Sequence, residues 1–235
     1  MSKLRLEITK GETVRYISHL DYSRTMERAL RRAKLPVAYS EGFNPHMKIA
    51  FGSALSLGVT SDTEYLDVEL KDDMAVADFS AALAGHLPAG IELKAVREIA
   101  AGQAALMAVV NLTSYRVTLP LPEELTTAAV EECVRRFNEA LEVLFVKESP
   151  KGRRQIDVKE YMVGDVVTTV VPEGIALDMT IRITPGGSVK PSAVLTVLAD
   201  QFGLAVNQSA ALINRTGLYV SDGVHRRSPL DIGVG

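Results

Sequence analysis

The sequence predicts an α+β fold made of two ferredoxin-like units, each a split βαβ arrangement with an antiparallel sheet and helices packed on one face. Short segments in which apolar and polar residues alternate are typical of half-buried strands, and both halves of the 235-residue chain contain them. Each half also contains two segments whose apolar residues recur with helical spacing. Their order in each half is β-α-β-β-α-β, which is the order of the split βαβ motif.

In the first half, the helix that follows the first strand carries clear signals at both ends. Ser18 occupies the expected N-cap position, and Asp21 lies in the first turn, where the helix dipole favours a negative charge. Pro36 prevents the helix from continuing. We predict strands at residues 4–9, 37–40, 48–51, 64–70 and 91–99, and helices at 19–33 and 74–87.

The second half repeats this order. Pro191 suits the first turn of its last helix, because proline has no backbone N–H to leave unpaired there. We predict strands at 115–121, 154–163, 166–171, 175–184 and 218–220, and helices within 122–145 and at 191–202. The expected domains are therefore 1–101, which is the N-terminal ferredoxin-like unit, and 113–235, which is the C-terminal one, with a connector at 102–112.

Composition and charge narrow the classes of function. The chain has 26 basic and 29 acidic side chains, a net charge of −3, so any attraction to phosphates must come from local clusters of cations. The single cysteine, Cys133, can form neither an internal disulfide nor a thiolate cluster, and a lone thiol fits a reducing compartment. Residues 1–10 lack the apolar stretch of a secretory signal, and no apolar run reaches the length of about 20 residues that spans a bilayer. We expect a cytoplasmic protein without membrane contact.

Two segments, 15–21 and 42–48, hold the densest polar side chains of the chain. If both reach one end of the sheet, their side chains form a site for an oxygen anion near the positive end of the first helix. The candidate ligand-binding or phosphate-binding residues are Arg15, His19, Asp21, Asn44, His46 and Lys48. We expect His19, Asp21, Asn44 and His46 to converge in a concavity. The alternative is that these residues only cap a helix and form a turn.

Clusters of cations form a second candidate surface. Arg24, Arg28 and Arg32 recur at intervals of four residues along one face of the first helix, and Arg31 extends the edge of that face. A basic loop near residue 152 adds further cations. The candidate nucleic-acid-binding residues are Arg24, Arg28, Arg31, Arg32, Lys151, Arg153 and Arg154. A helix face or loop that is merely solvated explains the same pattern.

Motifs for cofactors and metals are missing from the sequence, so we expect no cofactor and no metal. The chain lacks a cysteine triplet for an iron–sulfur cluster, a phosphate-binding Gly-Lys-Ser/Thr loop and a dinucleotide-binding glycine motif. One alternative remains open, in which His19, His46 and a carboxylate such as Asp21 or Glu41 hold a metal ion. The catalytic residues are unknown, and His19 is the candidate general base if the protein is an enzyme.

Several segments together resemble one family. They are RYISHLD at 15–21, ERALRRA at 27–33, YSEGFNPH at 39–46, FG at 51–52, LG at 57–58 and EYLD at 64–67, with weaker similarity at 156–158 and 215–219. These segments resemble the radical-SAM-linked family, a domain of unknown function that is fused to or encoded beside a radical SAM protein and often near an RNA-processing ribonuclease. The resemblance implies a radical SAM protein as partner and RNA as a possible substrate, and it assigns no catalytic residue.

These observations lead to three hypotheses about the function of the protein. The leading one is a non-catalytic accessory module that presents RNA or another phosphorylated substrate to a radical SAM partner. The second is a metal-independent RNA-processing enzyme that uses His19. The third is a purely structural domain that docks on a protein.

Overall fold

The computed structural model of the protein describes residues 2–100, 102–149 and 152–233. The chain is a mixed α+β protein that divides into two compact units, Met1–Asn111 with Arg215–Gly235, and Leu112–Asn214. Residues 215–235 were expected in the second domain but cluster with the first unit. The reason lies in long-range hydrogen bonds, since Arg5 donates to the carbonyl oxygen of Pro229 and Arg215 donates to the carboxylate of Glu64.

The helices and strands follow one another in an order close to the predicted one. The first part of the chain forms β1 (Lys3–Lys10), α1 (His19–Arg32), β2 (Ile49–Phe51), β3 (Val59–Glu69), α2 (Val76–Ala84), β4 (Leu93–Ile99) and α3 (Leu106–Val109). The rest forms β5 (Leu112–Leu119), α4 (Thr127–Glu139), β6 (Leu144–Ser149), β7 (Gly152–Asp157), β8 (Val167–Val171), β9 (Gly174–Arg182), α5 (Pro191–Phe202), β10 (Leu212–Ser221) and β11 (Arg226–Arg227).

In the first unit, β1 is the central strand of an antiparallel arrangement. It pairs with β3 on one side and with β4 on the other, so that Leu6 lies opposite both Leu66 and Val96. Strand β2 pairs with the far side of β3, and β11 pairs with β10. The strand order is therefore β4-β1-β3-β2. Helix α1 connects β1 to β2, and these two strands lie on either side of β3.

The core of the first unit forms because α1 buries one face against this sheet. Tyr22, Met26, Ala29 and Leu30 share that face and are buried, as helical spacing requires. They join a cluster that includes Leu4, Leu6, Ile8, Val37, Met47, Phe51, Leu66, Val68, Leu70, Phe79, Leu83 and Ile91. Burying apolar side chains contributes about 25 cal/mol for each Å² removed from water, so this packing holds α1 in place.

The second unit has a similar relation between its strands. Strand β9 pairs antiparallel with β5 on one side and with β8 on the other, as β3 pairs with β1 and β2. Strands β6 and β7 form a separate two-stranded antiparallel sheet. The buried apolar residues of this unit include Val117, Leu119, Val130, Phe137, Leu177, Ile181, Val194 and Leu198.

Some element boundaries differ from those predicted. The helix expected within 122–145 is present as α4, which ends at Glu139, but the strand β6, which begins at Leu144 and pairs with β7, was not predicted. The strand predicted at 154–163 ends at Asp157, whose carboxylate accepts backbone hydrogen bonds from Val143 and Lys159 and so forms a turn. Residues 37–40 make only isolated bridges. No helix in residues 2–100, 102–149 and 152–233 is long and apolar enough to cross a membrane.

Candidate nucleic-acid interface

Helix α1 begins where the sequence predicts. The Ser18 hydroxyl accepts a hydrogen bond from the Asp21 backbone N–H at 3.1 Å and donates one to the Asp21 carboxylate at 2.7 Å. The Asp21 carboxylate thus accepts the hydrogen bond of the Ser18 hydroxyl at the helix cap. It also pairs with the guanidinium of Arg24, which lies 3.6 Å away. Its role in the structure is to fix the start of α1 and the position of His19.

Arg15 is buried, and its guanidinium serves the structure. It donates to the Glu12 carboxylate at 2.8 Å and to the carbonyl oxygen of Gly58 at 2.9 Å. The hydrogen bonds from Arg15 lower the pKa of the Glu12 carboxyl. Arg15 therefore joins the segment before α1 to the loop before β3.

His19 lies in the first turn of α1 and packs against the ring of Phe51, with the ring centroids 5.1 Å apart. Its Nδ1 atom is buried and has no hydrogen-bond partner among the described residues. Burial lowers the pKa of the His19 imidazole, and the positive charges of Arg215 and Lys10 lower it further. The ring therefore favours its neutral form.

Asn44, His46 and Lys48 belong to an irregular hairpin between α1 and β2, and their contacts are local. The His46 backbone N–H donates to the Ser40 hydroxyl at 3.1 Å, and Nδ1 of the ring lies 2.9 Å from the same oxygen. Nδ1 also lies 3.4 Å from the carbonyl oxygen of Asn44, and Lys48 pairs with Glu69 at 3.4 Å. Among the contacts of the described residues, none joins His19 to these three, and their convergence on one pocket stays a prediction.

The outer face of α1 presents the four arginines that the sequence singled out. Arg24, Arg28, Arg31 and Arg32 are exposed. Arg32 donates to the carbonyl oxygen of His86 at 3.1 Å, while Arg28 and Arg31 form no ion pair within residues 2–100, 102–149 and 152–233. The helix carries four arginines against two carboxylates, so this face is positive in a chain of net negative charge.

Two cations of the second predicted group, Arg153 and Arg154, lie on strand β7. Arg153 and Arg154 are exposed on β7, opposite Glu148 and Lys147 of β6. Lys151 lies outside the described residues. Among the described residues, no group of three His, Cys, Asp or Glu side chains could hold a metal ion, which leaves the alternative metal site without support.

Exposed aromatic side chains are a feature that the sequence reasoning missed. Phe43, at the tip of the hairpin, is fully exposed with a relative accessibility of 106%, and Tyr16, just before α1, is 76% exposed. Tyr39 on the same hairpin is 44% exposed. The signal for Phe43 was its place between Gly42 and Asn44-Pro45, where a tight turn keeps a side chain away from the core.

The sequence reasoning also missed a buried group of charges in the first unit. Arg215 donates from one nitrogen to both carboxylate oxygens of Glu64, at 2.8 and 2.9 Å, and Lys10 donates to the carbonyl oxygens of Arg15 and Val59. Burial raises the pKa of the Glu64 carboxyl, and the Arg215 guanidinium opposes that rise. The sequence did contain a signal for the burial of Lys10. Leu4, Leu6, Ile8 and Lys10 are alternate residues of β1, so the Lys10 side chain is expected on the same buried face as the three apolar ones.

The solved structures that are similar to this chain include the following two. A chain in the crystal structure of a Cbf5–Nop10–Gar1 complex has a TM-score of 0.49 and 9% identity, with 92% of this chain and 48% of that chain covered. This protein therefore spans about half the length of that chain. A structure described as an RAMP protein binding different RNA substrates has a TM-score of 0.26 and 9% identity, with 77% and 87% covered. Both TM-scores are too low to establish a shared fold or activity.

No curated protein is similar enough in sequence to match the chain. Residues 3–191, in contrast, match the family described as an uncharacterized protein conserved in bacteria, DUF2344. The match covers most of the first unit, including α1 and the hairpin that follows it, and much of the second. The chain belongs to this family.

Proposed function

We propose that the protein is a non-catalytic accessory module that binds RNA and presents it to a radical SAM partner in the cytoplasm. The observation that carries this proposal is the exposed arginine face of α1, on which Arg28 and Arg31 have no carboxylate partner within the described residues. Such uncompensated cations on a rigid helix attract phosphates, because neutralising each phosphate releases a condensed counterion. Because the net charge of the chain is −3, this attraction has to come from local clusters of cations such as the arginine face.

The spacing of the arginines suits a phosphate backbone. Arg24, Arg28 and Arg31 lie on one side of α1, and each turn of the helix advances about 5.4 Å. The buried face of α1 holds its backbone in place. The arginines on this helix therefore lose less conformational entropy on binding than cations in a loop would. Asp21 and Glu27 on the same helix limit the positive field, and because the expected contacts are to phosphates, we expect an affinity that falls as the salt concentration rises.

Fluorescence anisotropy with a labelled RNA at low salt tests this proposal. The triple variant Arg24→Gln, Arg28→Gln, Arg31→Gln should bind more weakly, and its plot of log affinity against log salt should be shallower by about two units for a single strand. The matched control is Arg135→Gln on α4, because Arg135 is already paired with Glu132 and Glu139. If the wild-type protein binds no RNA at low salt, the proposal fails.

The assignment of a radical SAM protein as partner rests on sequence resemblance. Segments in the first third of the chain resemble the radical-SAM-linked family. The test is a pull-down from bacterial lysate, with and without nuclease, followed by identification of the captured proteins. Capture of a radical SAM protein in both samples supports direct contact, and capture that nuclease abolishes supports a link through RNA. Capture of no radical SAM protein in either sample contradicts the partner assignment.

His19 favours a second function, a metal-independent RNA-processing enzyme. Its imidazole is held towards the neutral form, which a general base requires, beside the positive charges of Arg215 and Lys10. Protein incubated with RNA and a chelator should then make discrete cuts, and His19→Ala should abolish them. Unchanged cutting by that variant would assign the activity to a contaminant and remove this function.

The ferredoxin-like description of the two units is part of this proposal. The order β4-β1-β3-β2 in the first unit and the β5-β9-β8 relation in the second support it. The domain limits 1–101, 102–112 and 113–235 also remain proposals, except that residues 215–235 cluster with the first unit. A buried free thiol at Cys133 suits a reducing cytoplasm.

A further inference from the structure

The hairpin between α1 and β2 has a rigid base and an open tip. At its base, the Lys48 N–H donates to the carbonyl oxygen of Ala38 at 2.8 Å, and the Ser40 N–H donates to that of His46 at 2.8 Å. The tip, residues 41–46, is exposed throughout. Gly42 adopts a φ of 120°, a conformation that side chains disfavour, and a Cβ there would meet no atom within 4 Å.

Phe43 holds its whole ring in water at this tip. An exposed phenylalanine keeps its apolar surface hydrated at a cost that folding normally avoids. The ring lies on a loop whose base is fixed by backbone hydrogen bonds, so it is presented to the solvent rather than packed against the unit. This arrangement suits a ring that becomes covered when a ligand binds.

The polar groups around Phe43 favour a nucleotide as that ligand. The amide of Asn44 and the ring of His46 are exposed at the same tip and can form hydrogen bonds to the edge of a base. The arginine face of α1, the element immediately before the hairpin, supplies cations for the phosphates. Glu41 is the carboxylate at the tip and opposes phosphate binding, so the contact at the tip itself is expected to be with a base.

We propose that Phe43 stacks on an unpaired base, so that the RNA bound by this protein is single-stranded or looped rather than a continuous duplex. Bases in a duplex are already stacked, and only splayed bases are available to an aromatic side chain. This inference rests on the proposed RNA binding and specifies its substrate class.

The binding test compares a single-stranded RNA of about ten nucleotides with the perfect duplex of the same sequence. Phe43→Ala should weaken binding of the single strand on the order of 10-fold and leave duplex binding and the salt dependence unchanged, because no charge is removed. The matched control is Leu141→Ala, since Leu141 is 96% exposed in the other unit. Equal weakening for single strand and duplex would overturn the stacking assignment.

A second measurement reports on the contact itself. The protein contains no tryptophan, so Phe43→Trp introduces one fluorophore at the tip of the hairpin. Stacking on a base should quench its emission when single-stranded RNA is added, and the duplex should leave it unchanged. If RNA binds to the Phe43→Trp protein without quenching, and Phe43→Ala binds RNA as tightly as wild type, the stacking inference is wrong while the proposed RNA binding stands. If the wild-type protein binds neither RNA, the proposed function fails with it.

Discussion

Single residues in the first unit show how charge is placed inside the fold. Arg215, Glu64 and Lys10 are at most 2% exposed, yet each has hydrogen-bond partners. Ionised groups are costly to bury, and only partners within a few Å offset that cost. These residues therefore make the first unit sensitive to substitutions that leave one charge without its partner.

Replacing Arg215 by methionine should destabilise the protein by about 3–5 kcal/mol, because the buried Glu64 carboxylate loses its counterion. Urea unfolding measures the change. The double variant Arg215→Met, Glu64→Leu should recover most of the loss, since neither charge of this pair is left without its partner. The matched control is Arg97→Met, whose exposed pair with Asp231 should contribute about 1 kcal/mol or less. Equal losses for Arg215→Met and Arg97→Met would contradict the assignment.

His19 should make stability depend on pH. Its pKa is lowered in the folded protein, so below the ordinary value of about 6.5 the unfolded chain binds a proton that the folded chain does not. The free energy of unfolding should therefore fall as pH decreases through and below about 6.5. Urea unfolding across this range should show a smaller decrease for His19→Leu than for wild type. A His19→Leu variant with the full wild-type slope would show that His19 is not the cause.

At the scale of elements, α1 has well-defined ends. Ser18 caps its first turn, and two backbone hydrogen bonds close its last turn, from Lys34 to Arg31 and from Leu35 to Leu30. This is the pattern of a Schellman cap, which requires a left-handed residue after the C-cap. Here that residue is Lys34, with a φ of 54°. The buried face and both caps together hold the arginine face in place.

Lys34→Gly should stabilise the protein by about 0.5–1 kcal/mol, because a glycine adopts the left-handed conformation without the steric cost that Lys34 bears. The neighbouring change Ala33→Gly serves as the control. Ala33 has a φ of −69°, so glycine there should be neutral or destabilising. Thermal or urea unfolding distinguishes the two variants. A loss of stability in Lys34→Gly would contradict this account of the helix end.

At the scale of the whole molecule, the chain leaves the first unit at Asn111 and returns to it at Arg215. The returning segment is held by hydrogen bonds from Arg5 to the carbonyl oxygens of Pro229 and Ile232. It is also held by the Asn111 side chain, which bonds to the backbone of Ser221 in both directions at 2.7 and 2.8 Å. Residues 215–235 therefore complete the first unit.

A fragment of residues 1–111 should not fold cooperatively, because the Glu64 carboxylate loses Arg215 and the Arg5 guanidinium loses the carbonyl oxygens of Pro229 and Ile232. Joining residues 111 and 215 by a Gly/Ser linker of about eight residues, enough to span roughly 20 Å, should restore a cooperative unit. Circular dichroism during urea unfolding measures both proteins. A fragment 1–111 that unfolds cooperatively with the stability of the joined protein would contradict the role of the C-terminal segment.

Local sequence signals determined several features of this protein. The cap at Ser18, the buried face of α1 and the exposure of Arg24, Arg28 and Arg31 follow from helical spacing and helix-end chemistry, which act over a few residues. The mixed α+β class follows from alternation in the strands. These features need no knowledge of what packs against them.

Only the tertiary structure decided how the polar residues are used. Arg15 looked like a ligand-binding cation but is bonded to Glu12 and Gly58, and the partner of Glu64 lies 151 residues away in the sequence. The exposure of Phe43 depends likewise on how a hairpin projects from its unit. Such choices depend on contacts between distant segments, and the energy of a charge or an aromatic ring is set by its neighbours in space, which a local pattern does not contain.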